Sequence, residues 1–197
     1  IINPETLNLV VDYMKQGIPI IHSAPLINNF NKTRGVADLL VRNDYLPKIF
    51  KNCPLLQNSS SKFGNYYYVV IDIKFTTIPL RADGICILNE PKFKAYKAQL
   101  CVYNKALSLL QGYEPRYSFI LGRRVKHNNL VYESFYKPGT IDFLETDSEY
   151  IKKTNDAIKW VRNVKKHYNK WTLIPPCIQE LYPNMCISSG YWDKKKR

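Results

Sequence analysis

The chain is short of acid. Sixteen Asp and Glu stand against 29 Lys and Arg in 197 residues, a formal net charge of +13. That imbalance turns the reading towards a polyanionic partner, nucleic acid ahead of an anionic membrane surface. The plain alternative is a basic, soluble protein with no such partner. Cysteine is sparse too. Cys53, Cys86, Cys101, Cys177 and Cys186 are odd in number and contain no C-x-x-C pair, which argues against a zinc ribbon and a disulfide framework. Reduced thiols fit a cytosolic or nuclear compartment.

Long apolar runs are missing as well. None approaches the ~18 residues of a membrane-spanning helix, so no membrane is expected among the partners. The opening "IINPETLNLVVDYMKQ" lacks the basic start, apolar block and cleavage site of a secretory leader. There is no internal repeat. The chain opens on Ile and ends within a charged run, "WDKKKR", and is expected to be a piece of something longer.

What is present reads as one substantial domain. Helix is expected over 4–15, where Asn3 caps, Pro4 starts, and Leu7, Val10, Val11 and Met14 recur at helical spacing. Strands follow at 18–26 and 33–42, joined as a hairpin by the turn residues of 28–32. Residues 43–65 read as irregular, with "NSSSKFGN" (58–65) a flexible loop. A third strand covers 66–74, and a short strand is expected near Ile85 to Leu88. Residues 92–112 carry the clearest helical stripe, including Tyr96, Leu100, Tyr103, Leu107 and Leu110, with Gly112 as its stop. Further strands are expected over 116–124 and 130–137, and a helix from Thr146, Asp147 or Ser148 to about His167. From Trp171 the chain is proline-punctuated, with a short helix expected near Ile178 to Leu181. A meander of three strands and a helical crossover to a fourth, parallel strand gives a mixed sheet with helices on its faces, of class α/β or α+β.

The chemistry gathers on the third strand, "YYYVVIDIKFTT" (66–77). Asp72 and Lys74 are two apart and so share a face. Charges inside a core need partners or a metal. Asp38, in "GVADLLV", is a second acid between apolar neighbours on a neighbouring strand. If the strands pair, two carboxylates form an oxygen-rich site suited to Mg²⁺ or Mn²⁺, with Lys74 placed to hold or activate a water. A buried Asp72–Lys74 salt bridge is the structural alternative. On the helix, Gln99 and Tyr103 lie four apart on one face, fit to hold a phosphate or a water; by themselves they read as surface and core. His22 reads as a hydrogen-bonded strand histidine, and His127 and His167 as solvated.

"GVADLL", "IDIK" and "QLCVY" together resemble the ordered motifs of the PD-(D/E)xK nuclease superfamily. They are most similar to its RecB-like branch, which includes the lambda-type exonucleases and the CRISPR-associated RecB-like nucleases. The resemblance covers residues 35 to 103, and "QGYEPRYSFILGRR" resembles the strand that follows in one group of them. The tail from Trp171 resembles giant-virus members.

The resemblance implies a restriction-endonuclease-like core over 1–170, with 171–197 an irregular extension. It implies a Mg²⁺- or Mn²⁺-dependent deoxyribonuclease of exonuclease or flap type, acting in DNA processing or defence. Asp38, Asp72 and the Ile73 carbonyl bind the metal, Lys74 positions or activates the attacking water, and Gln99 and Tyr103 meet the DNA. Lys94, Lys97, Arg123, Arg124 and Lys126 are assigned to the DNA backbone. A helicase or another repair or defence protein, and a second copy of the chain, are further expected partners. The expected compartment is cytoplasm or nucleus, or host cytoplasm if viral. The family's upstream acid has no counterpart around Glu5 or Asp12 and is expected before Ile1. The four-cysteine pattern of cluster-bearing members is missing, so no iron–sulfur cluster is expected. A catalytically silent nucleic-acid-binding module, or a scaffold, is the alternative.

Overall fold

The computed structural model describes residues 2–54 and 56–172. Helix α1 (Pro4–Lys15) starts with a capping box: Asn3 Oδ1 accepts the Thr6 N–H at 2.8 Å and Thr6 Oγ1 accepts the Asn3 N–H at 3.2 Å. Strands β1 (Ile20–Asn28) and β2 (Thr33–Arg42) form the expected hairpin, and β2 pairs antiparallel with β3 (Tyr68–Pro79). A single turn, α2 (Leu46–Ile49), lies between them. Helix α3 (Pro91–Gln111) leads to β4 (Tyr117–His127), which lies parallel to β3. The far side of β4 is shared by β5 (Leu130–Glu133) and β6 (Gly139–Asp142), both antiparallel. Helix α4 spans Glu149–His167. The class is α+β, a six-stranded mixed sheet flanked by helices.

The central strand explains its own sequence. Tyr68 to Asp72 are all buried, because β3 has a neighbour on each side and packing on both faces. One core cluster joins Val10 and Met14 of α1, Leu100 and Leu107 of α3, and Leu40, Tyr68 and Val70 of the sheet. The other joins Leu46 and Phe50 to Val69, Ile71 and Phe119. Each fully buried aliphatic side chain is worth about 1.5–3 kcal/mol relative to exposure. Helix α3 ends where Gly112 takes the left-handed backbone at φ 71° and its N–H bonds to the Ser108 carbonyl.

Several elements differ from the sequence reading. β3 runs on to Pro79, since a register shift between Lys74 and Thr77 lets the strand continue against β4. The strand expected near Ile85 to Leu88 is reduced to isolated bridges, Leu80 with Ile87 and Cys86 with Thr140. The strand expected over 130–137 stops at Glu133, and β6 is additional. The loop at 58–65 is tied down: the Lys62 N–H donates to the Gln111 carbonyl at 2.8 Å and Lys62 Nζ to the Leu109 carbonyl at 3.2 Å.

The chain divides into two compact units, Ile1–Ile158 and Lys159–Arg197, so the division falls inside α4. In the second, α4 ends in a short 3₁₀ turn, Tyr168–Lys170, and His167 Nδ1 lies 2.7 Å from Asn163 Oδ1. The extension expected over 171–197, with its helix near Ile178, lies from Leu173 onward outside the described residues. Among the described residues no helix is long and apolar enough to cross a membrane, and Cys53, Cys86 and Cys101 are free thiols.

Candidate functional site

The candidate site lies in the fork where β2 and β3 part. Their pairing runs to Leu39 opposite Ile71; the next position puts Asp38 opposite Asp72. There the ladder is replaced by a side chain, as Asp38 Oδ2 accepts the Ile73 N–H at 2.7 Å. On the other flank of β2, Ser23 of β1 is the residue opposite Asp38 and has φ +51°. Left-handed backbone costs a non-glycine residue roughly 1–2 kcal/mol, so the hairpin is distorted beside the acid.

Asp72 is 2% exposed, and Lys74 Nζ lies 2.6 Å from its Oδ2. That contact is an ion pair off hydrogen-bond geometry, because Oδ2 has no hydrogen-bond donor among the described residues. Burial pushes the Asp72 carboxyl above its ordinary range; the Lys74 ammonium pulls it down, and the Asp38 carboxylate adds to the rise. Two carboxylates and a buried oxygen short of a donor suit a hard divalent cation. No group of three His, Cys, Asp or Glu side chains placed to share a metal occurs among the described residues.

Helix α3 roofs the fork. Gln99 Nε2 donates to the Tyr103 hydroxyl at 3.0 Å. The Tyr103 ring lies so close to Gly35 that a Cβ there would collide with its Cε1 edge. Gly35 and Tyr103, from the first and last of the three motifs, are thus in direct contact. Lys74 Nζ lies 5.0 Å from the Tyr96 ring centroid, and Lys92 Nζ donates to Thr76 Oγ1 at 3.1 Å. Tyr96 was legible as a stripe residue of the helix; its role over Lys74 was not. The spacing of Tyr96, Gln99 and Tyr103, three and then four, was the signal.

Of the basic residues expected on DNA, Lys94, Arg123, Arg124 and Lys126 are exposed. The register sets Gly122 beside Lys74 and Arg124 beside Thr77, which brings the basic half of β4 alongside the fork. Arg123 lies 5.2 Å from the Phe75 ring, and Arg124 is paired across the strands with Glu133. Lys97 is a correction. It is 0% exposed, its Nζ 2.6 Å from Asp147 Oδ1 and 2.9 Å from the Ile87 carbonyl. An ammonium satisfied this way inside the core has no access to a phosphate. His22 is exposed and paired through its strand with Leu39. His127, expected to be solvated, is half-buried with Nε2 3.3 Å from the Ala82 carbonyl.

Compared with known proteins, the chain matches no family model and no curated sequence.

Proposed function

We propose that the chain is a metal-dependent deoxyribonuclease that hydrolyses phosphodiester bonds at the β2–β3 fork. The observation that carries this reading is the buried Asp72 carboxylate beside Asp38, with one oxygen short of a donor among the described residues and Lys74 against it. The order of "GVAD", "IDIK" and "QLCVY" and its resemblance to RecB-like nucleases support it. Asp38, Asp72 and the Ile73 carbonyl would hold Mg²⁺ or Mn²⁺, which when bound supplies Lewis-acid activation of phosphate and water. Lys74, 21% exposed, can turn from Asp72 to the attacking water or to the charge that develops on the phosphate. Gln99 and Tyr103 offer an amide and a hydroxyl to the substrate from above. Exposed Lys94, Arg123, Arg124 and Lys126 give the salt-sensitive, sequence-independent grip expected of an exonuclease or flap-type enzyme.

The test is cleavage of end-labelled DNA with added Mg²⁺ or Mn²⁺. Asp72→Ala and Lys74→Ala are each expected to abolish it, and a chelator to stop the wild type. Wild-type cleavage by either variant overturns the assignment. A second reading, a catalytically silent nucleic-acid-binding module on the same fold, is favoured because no third His, Cys, Asp or Glu among the described residues is placed to share a metal with Asp38 and Asp72. It predicts DNA binding without metal-dependent cleavage.

A further inference from the structure

A second basic and aromatic feature lies away from the acidic fork. The segment 47–51 and the turn after β5 enclose a groove of about 850 Å³. Two backbone bonds seam it, from the Lys51 N–H to the Phe135 carbonyl at 3.1 Å and from the Asn52 N–H to the Tyr136 carbonyl at 2.9 Å. Its floor is Phe50, 1% exposed, while Phe135, 6.4 Å away between centroids, is 57% exposed. Tyr132 and Tyr136 stack on each other at 4.4 Å and 5°. Lys137 Nζ lies 5.4 and 5.7 Å from those two rings, which stiffens the wall. Lys48 and Lys51 line the rim, and Glu133 is the sole carboxylate among the lining residues.

We infer that this groove binds single-stranded DNA, its lysines on phosphates and Phe135 under a base. An open ring on an aromatic wall beside lysines, with Lys48 Nζ 3.9 Å from the Tyr45 ring, is the combination that single strands use, because every base has a stackable face and every linkage a charge. The excess of lysine on the rim, in a chain of net charge +13, disfavours an acid-poor peptide as occupant. The groove adjoins the sheet: Ser134 Oγ donates to the Arg123 carbonyl at 2.5 Å, and Arg123 lies 5.2 Å from the ring of Phe75, which follows Lys74 on β3 and so faces the side of the sheet opposite Asp72 and Lys74. That the strand is DNA rests on the nuclease reading; the groove itself asks only for bases and phosphates.

The experiment is fluorescence anisotropy in a chelator, which excludes cleavage. The probes are an oligothymidylate of about twelve nucleotides, within the span of a single-strand site, and an abasic strand with the same number of phosphates. Phe135→Ala is expected to weaken oligothymidylate binding by about five- to one-hundred-fold and to leave the abasic strand unchanged. Phe135→Tyr, which keeps the ring, is expected to bind like the wild type and guards against a folding artefact. Lys48→Gln and Lys51→Gln are each expected to lower the salt-dependence slope by about 0.7. Equal binding of both probes by the wild type, or unchanged oligothymidylate binding by Phe135→Ala, overturns the inference. An oligouridylate of equal length that binds more tightly overturns the assignment to DNA. Cleavage by Asp72→Ala is scored separately: if it persists while the groove binds, only the nuclease reading fails. If it is lost while the groove does not bind, only the groove reading fails.

Discussion

Two lysine–aspartate pairs in this protein have the same length and opposite surroundings. Lys97 and Asp147 meet at 2.6 Å, and so do Lys74 and Asp72. In the first, every strong group is answered. Lys97 also reaches the Ile87 carbonyl, Asp147 Oδ2 accepts the Asp142 N–H at 3.2 Å, and both side chains are at most 2% exposed. In the second, the lysine keeps a fifth of its surface in water, an aspartate oxygen has no hydrogen-bond donor among the described residues, and another carboxylate stands beside it. A satisfied pair locks elements together, here α3 to the connector that precedes it, through Ile87, and to the connector before α4, through Asp147. An unsatisfied pair with a surplus acid is costly to the fold, and its remaining capacity is available to a ligand.

The sharpest way to break this contrast is to remove the lysines in turn. Lys97→Ala leaves a buried carboxylate without its cation and is expected to cost about 3–5 kcal/mol in urea unfolding. Lys74→Ala is expected to cost clearly less, because Lys74 is 21% exposed and the Asp72 carboxyl, raised by burial, takes up a proton more readily than an ordinary carboxylate. Equal losses from the two would erase the distinction between the satisfied and the unsatisfied pair.

A smaller effect tests the roof over the fork. Gly35→Ala places a methyl group against the Tyr103 ring and is expected to cost about 1–3 kcal/mol, as overpacking does. Combined with Tyr103→Ala, which vacates the space, the same change is expected to cost little beyond the tyrosine substitution alone. Additive losses in the double-mutant cycle would show that the two motifs do not meet.

Much of this was legible because local chemistry and tertiary structure agree. Asn3 and Pro4 cap α1, the hairpin turn falls at 29–32, and Gly112 stops α3, each through contacts within a few residues. Asp38, Asp72 and Lys74 were legible as charges set among apolar strand residues, and pairing of β2 with β3 follows from the chain order. Lys97 was misplaced because composition counts a lysine as surface, while its partner Asp147 lies fifty residues on. β6 was missed because "GTID" is four residues with no alternation, held only by β4. The Gly35–Tyr103 contact links residues of two motifs across the fold, and neither residue alone signals the other.

The smallest effect, and the most specific, is in the pH dependence. Asp72 has its carboxyl raised by burial first, with Asp38 adding and Lys74 opposing. At Asp142 burial also pushes upward, but the Arg116 guanidinium and the Leu144 N–H outweigh it and leave the carboxyl below its ordinary range. The two therefore have opposite linkage. Between the unfolded value near 3.9 and its higher native value, Asp72 binds more proton in the folded state, so its contribution to stability falls as pH rises. For Asp142 the unfolded state binds more proton between the lower native value and about 3.9, so its contribution rises with pH and is lost on acidification. Urea unfolding from about pH 3 to about pH 7 reads both. The stability of Asp72→Asn relative to wild type is expected to improve as pH rises across that range, because the variant sheds a cost that the wild type meets only once Asp72 ionises. Asp142→Asn is expected to worsen relative to wild type over the same range. Slopes of the same sign would mean that Asp72 is held as comfortably as Asp142, and the fork would lose the electrostatic feature that sets it apart.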